Sequence, residues 1–159
     1  MFNVGDRIVY PMHGAGVIES IEEREILGNK QKYYVMKMPV GDMKVLIPTR
    51  NVGDVGIREI IDSCDVDKVY EILQDQSVNV TNNWNRRYRE NMIKIKSGDI
   101  YEVADVVRTL MIREREKGLS TGERKMLNSA RQIMVSELVL AGDTDQIEIE
   151  TIINDFLRI

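Results

Sequence analysis

"GIREIIDSCDVDKVYEIL", residues 56–73, is where the periodicity of the chain changes. Upstream, the first ~55 residues read as short β-rich runs separated by turns. Downstream, Val66, Val69, Ile72 and Leu73 fall on one stripe of a helix. The segment between, "GIREIIDS", reads as a short connection. The chain therefore divides into a β module over 1–56, a connection over 57–64 and a helical module over 65–159, an α+β, two-domain organisation.

Toward the N-terminus, "DRIVYP" is a β-rich run stopped by Pro11, and "AGVIESIEERE" follows Gly14. "KYYVMKM" sets Tyr34, Met36 and Met38 against Tyr33, Val35 and Lys37, and "MKVLIP" alternates again up to Pro48. Turn chemistry links these runs: "LGNK" around Gly28-Asn29 and "PVGD" around Gly41-Asp42. Four or five short strands in about 55 residues bury a common face only by curling into a small Tudor/SH3-like barrel or rolled sheet.

Toward the C-terminus, three more helical stripes follow. They are Val103, Val106, Val107, Leu110 and Met111; then Leu127, Ala130, Ile133, Met134 and Leu138; then Ile149, Ile152, Ile153, Phe156 and Leu157. Punctuation agrees with them. "SGD" at 97–99 separates two helices, with Asp99 and Glu102 at cap and N3 spacing, and Gly118 is a C′ stop. Ser120-Thr121-Gly122-Glu123 has the form of a capping box. A bundle of four to five helices is expected.

The 159 residues are 43% hydrophobic and 30% charged, a soluble globular balance. No apolar run approaches the ~18–20 residues of a membrane span, and Met1 leads into "FNVGDRIVYP" without a signal-peptide pattern. A cytoplasmic, monomeric protein without membrane partner, cofactor, metal or small-molecule ligand is expected. One cysteine, Cys64, precludes an internal disulfide and fits a reducing compartment. Net charge is −4, yet residues 81–125 hold eleven Lys/Arg against seven Asp/Glu, and residues 137–159 one Arg against six acids. The middle is basic, and the tail reads as a closing helix with a solvated acidic face.

Chemistry of the enzymatic kind lacks its residues. The one histidine, His13, has no nucleophile elbow around it, and neither a Walker loop, a GxGxxG nor a CxxC is present. "TNNWNRRYREN", 81–91, is more informative. Thr81, Asn82 and Asn83 are N-cap types, so a helix begins near Trp84. Arg86, Arg87 and Arg89 then crowd a helix end whose dipole favours anions, and Arg124 and Lys125 do the same after the capping box. An external phosphate would relieve both ends. Trp84 has two readings: a core residue of a protein–protein adaptor, or an apolar wedge for a minor-groove base step flanked by arginines. RNA binding through the β module is a weaker third reading, because exposed aromatics are few.

Together these residues resemble the CarD/CdnL family of bacterial transcription regulators. "VGDRIVYPMHGAGVIESIE" is similar to the family's opening, and Thr81 through Asn83-Trp84 to Tyr88 is similar to its tryptophan motif. "SGD" at 97–99 recurs, and "GLSTGERKMLNSARQIMVSELVLA", 118–141, is similar to its long helix. The resemblance implies a Tudor-like domain that docks on the RNA polymerase β subunit, and a helical domain that contacts promoter DNA at the upstream edge of the melted region. It places the wedge on Trp84 and DNA contacts on Arg86, Arg89 and Arg124; charge placement adds Arg87 and Lys125. On the polymerase side it implies Arg24, with Ile26 beside it. A second contacting arginine of some members falls on Leu46, with Lys44 nearby. Weak promoter binding, made effective by tethering to polymerase, is the expected mode of action.

Overall fold

The computed structural model describes residues 2–41, 43–51, 55–75, 77 and 83–157. Five strands, β1 (Arg7–Tyr10), β2 (Gly14–Ile26), β3 (Asn29–Lys37), β4 (Lys44–Pro48) and β5 (Arg58–Glu59), precede five helices. The helices are α1 (Val66–Gln74), α2 (Trp84–Lys96), α3 (Ile100–Glu116), α4 (Thr121–Ala141) and α5 (Gln146–Leu157). This is the α+β order expected from the change of period.

The strands form one antiparallel sheet in the order β4-β3-β2-β1-β5. Alternation sends Ile18, Tyr34, Met36 and Ile47 to one face, where they join Ile8 and Met38 in a buried cluster. Tyr33 and Val35 are also buried, on the opposite face, so β3 buries side chains on both faces rather than one. The β2–β3 hairpin turns at Leu27-Gly28, one position earlier than the "GN" signal, with φ of 52° and 81°. Both values suit a primed two-residue turn, whose twist matches the flanking strands. β5 arises inside the stretch read as a connection, pairing Val9 with Arg58 and Ile8 with Glu59. A two-residue ladder is too short to leave a periodic signal.

The helical stripes read from the sequence face one second core, in which Val69, Leu73, Ala104, Val106, Val107, Ala130, Met134, Leu138 and Ile153 are fully enclosed; the side chain of Leu157 lies outside the described residues. Burying each large aliphatic side chain contributes roughly 1.5–3 kcal/mol. Capping follows the sequence: Asp99 accepts the Tyr101 amide at 2.8 Å, and the Gly118 amide closes α3 on the carbonyls of Arg113 and Glu114. Thr81, Asn82 and Asp42 lie outside the described residues. Among those described, no helix is long and apolar enough to cross a membrane.

Sheet and bundle meet along α4. The Ala15 amide donates to Ser136 Oγ at 2.8 Å, and Arg7 donates to the Leu140 carbonyl at 2.8 Å. Gly14 makes this approach possible: at φ 114°, an added Cβ would stand 2.8 Å from Ser136 Oγ and 2.9 Å from Met38 Cε. Arg58 and the buried Glu137 complete the seam with a salt bridge of 2.7 Å.

Candidate nucleic-acid interface and docking face

The α2 start is built as its caps dictate. Asn83 is extended and its side chain accepts the Arg86 amide at 3.1 Å, so Trp84 is the first helical residue. No acid occupies the first turn. Trp84 is 42% exposed, which excludes a core tryptophan. One helical turn on, Tyr88 stacks with it at a centroid distance of 5.1 Å and an interplanar angle of 21°. The indole N–H donates to Ser120 Oγ at 3.1 Å, the same oxygen that caps α4 by accepting the Glu123 amide at 3.2 Å. Two helix N-termini are thus clasped through one hydroxyl. The indole is held by Ser120 and Tyr88 and lies beside Gly122 of α4, yet remains partly open to solvent.

The cations divide. Arg86, Arg89, Arg124 and Lys125 are exposed. Arg86 pairs with Glu90 at 3.0 Å, and Arg124 reaches Glu114 at 3.4 Å. Arg87 departs from the expectation of DNA contact. It is 4% exposed and forks onto Glu123, Nε to Oε2 at 2.8 Å and the second guanidinium nitrogen to Oε1 at 3.1 Å. The cause is helical geometry: Arg87, Asn91 and Ile95 share the buried stripe of α2. The Glu123 carboxylate accepts this fork from Arg87 and also lies 3.5 Å from the Ser120 hydroxyl, which donates to its Oε1. The hydrogen bond from Arg87, working against burial, holds the Glu123 carboxyl below its ordinary pKa. The resulting carboxylate also suits the positive end of α4.

On the sheet, register gathers the other four residues. Val35 pairs with Ser20 on one side and Leu46 on the other, so Ser20, Glu22, Arg24 and Ile26 share a face with Lys44 and Leu46. Ile26 and Leu46 are exposed; Arg24 pairs with Glu22 at 2.9 Å, and Lys44 with Glu19, from the β2 irregularity, at 3.0 Å. This face lies opposite the buried cluster of the sheet. Elsewhere, Asp62, Cys64 and Asp65 bring possible ligand atoms within 4.8 Å of one another. They mix hard carboxylates with a soft thiol, and Asp65 already holds Lys68 at 3.2 Å.

Tyr88, Ser120 and Glu123 are the supporting residues that sequence reasoning did not assign to the interface. The spacing of Tyr88 from Trp84, four residues on one helix, was the available signal. The second bond of a capping serine leaves none.

Two family models match the chain. A family model described as "CarD-like/TRCF RID domain" matches residues 2–61, and one described as "CarD, C-terminal domain" matches residues 68–154. The chain belongs to the CarD family. Among CarD-related proteins, YdeB of Bacillus subtilis (strain 168), described as a candidate transcription factor, is 45% identical over 147 residues, covering 92% of this chain and 96% of YdeB. The solution structure of the 72-residue N-terminal domain of Myxococcus xanthus CarD matches 37% of this chain and 79% of its own, at 30% identity and a TM-score of 0.33. RNA polymerase interaction is the general role of the CarD family, which is one of transcription factors and not a known class of enzyme.

Proposed function

We propose that this CarD-family protein docks on the RNA polymerase β subunit through the outer sheet face and stabilises the promoter open complex through Trp84. Arg24, Ile26, Lys44 and Leu46 form the docking face. Arg86, Arg89, Arg124 and Lys125 hold DNA backbone on either side of the indole, at the upstream edge of the bubble. The observation that carries this reading is Trp84 itself: a large apolar ring, 42% exposed at a cationic double helix tip and already anchored by Ser120 and Tyr88. Such a ring enters a distorted base step with little further loss of conformational freedom.

Affinity for free DNA is weak in this scheme. The protein carries a net charge of −4, and two of the four exposed tip cations already have carboxylate partners. Four phosphate contacts at most give a salt slope near −3.6, or about 150-fold in affinity between 50 and 200 mM salt. Docking supplies the local concentration that the DNA surface lacks. A wedge that binds the parted junction better than intact duplex then shifts the equilibrium toward the open complex.

Open-complex lifetime on one promoter, with and without the protein at two salt concentrations, tests the reading. Trp84→Ala is expected to abolish most of the lifetime gain while leaving polymerase pull-down intact. Arg24→Glu is expected to weaken pull-down itself. Equal loss of docking by Trp84→Ala, or full activity of that variant, would overturn the division of labour.

A further inference from the structure

The seam between sheet and helices is built from directional bonds. Arg58 on β5 grips Glu137 of α4 with two nitrogens, each at 2.7 Å, and donates from Nε and a terminal nitrogen to the Gly98 carbonyl at 2.9 and 2.7 Å. Glu137 is 2% exposed and also accepts the Ile61 amide at 2.9 Å. Gly98 occupies the turn between α2 and α3 at φ 75°, where a Cβ would stand 3.1 Å from Cγ of Pro11, the residue after β1. The turn that roots α2 is therefore held between Pro11 and Arg58, both supplied by the sheet module. This accounts for two sequence features that DNA contact leaves unused, "SGD" and "YPMHGAG".

A half-buried ion pair such as Arg58–Glu137 gives little net stability over apolar packing of the same shape, but a forked guanidinium fixes orientation. We propose that Arg58 is a positioning residue: with Glu137 and the Gly98 carbonyl it sets the angle of α2 relative to the docking face, so that docking dictates where Trp84 arrives. This rests on the docking-and-wedge reading above. The lever is long enough to matter. α2 has 13 residues, about 20 Å from root to tip, so a tilt of roughly 10° moves Trp84 about 3.5 Å. That is close to one base-pair rise of ~3.4 Å.

The test uses the full chain carrying Arg58→Met with Glu137→Gln, which removes both charges yet leaves an acceptor for the Ile61 amide. A second variant, Arg58→Lys, keeps a charge opposite Glu137 but loses the fork. Spin labels at Leu27→Cys and Ile93→Cys, in a Cys64→Ser background, report the sheet-to-α2 distance in the free protein; both positions are exposed. Expected are cooperative melting, polymerase pull-down and free-duplex affinity close to the parent's, a broadened distance distribution, and an open-complex lifetime gain reduced about tenfold. If the double variant does not fold, Arg58→Lys is expected to show the same separation in milder form. A distance distribution as narrow as the parent's in both variants overturns the proposal, as does a broadened one with undiminished lifetime. Should the parent itself give no lifetime gain, the docking-and-wedge reading fails, and the distance widths alone decide whether Arg58 sets the angle.

Discussion

Replacing Arg87 by alanine separates a structural arginine from its surface neighbours. Arg87 and Glu123 are 4% and 1% exposed and share two hydrogen bonds, so the truncation strands a carboxylate inside the bundle. Breaking a buried pair from one side costs about 3–5 kcal/mol, a large share of a stability of order 5–15 kcal/mol. For a chain of this size that lowers Tm by roughly 6–20 °C. Arg86→Ala, one position earlier, loses only the exposed pair with Glu90, worth about 0.3–0.5 kcal/mol. Arg87→Met with Glu123→Gln is expected to recover most of the loss, because no buried charge remains unpaired. Thermal and urea melts of the parent and these three variants provide the measurement. If Arg87→Ala melts as Arg86→Ala does and weakens DNA contact instead, the guanidinium lies at the surface and the buried fork is refuted.

Acid should act through the same pair. The folded pKa of Glu123 lies below its unfolded value, so the pair's contribution is complete above the ordinary glutamate pKa and is lost as pH falls through the folded one. Urea midpoints should fall on acidification below that range in the parent and less steeply in the Arg87→Met, Glu123→Gln double variant. Ser120→Ala removes both the α4 cap and the indole's acceptor; it should cost about 0.5–2 kcal/mol and make Trp84 fluorescence more readily quenched. Unchanged quenching would mean that the indole is not held there. Gly98→Ala meets a φ of 75° and the Pro11 ring, so it should destabilise by more than about 1 kcal/mol, whereas Gly118→Ala meets strain without a clash and should cost less. Equal losses on melting would show that the contact with Pro11 is unimportant.

The helical half was legible because its signals are local and redundant. Asn83, Asp99, Ser120 and Gly118 mark helix ends that the structure reproduces, and the apolar stripes of α1, α3 and α4 all enter one core. Strands β1 to β4 were legible by alternation and their turns. Arg87 was misread because charge was weighed ahead of period: a cation in a run of arginines looks solvated until its spacing from Asn91 and Ile95 is counted. β5 and Glu137 were hidden for another reason. Their places depend on distant partners in sequence, Val9 for β5 and, 79 residues away, Arg58 for Glu137, and no short window on the chain contains both. The exposure of Trp84 was likewise undecided by composition, since a hydroxyl on another helix fixes it.

Helix α4 has a consequence for how this chain can vary. Ser120, at its cap, touches the indole, while Ser136 and Glu137, near its far end, are bonded to the sheet; the span between them is rigid and about 25 Å long. It works as a ruler. Inserting or deleting one residue between those points would rotate one end through about 100° against the other and break one set of contacts. Length changes among relatives should therefore collect in the hairpin at Leu27-Gly28 and the turn before α5, leaving the count from 120 to 137 fixed.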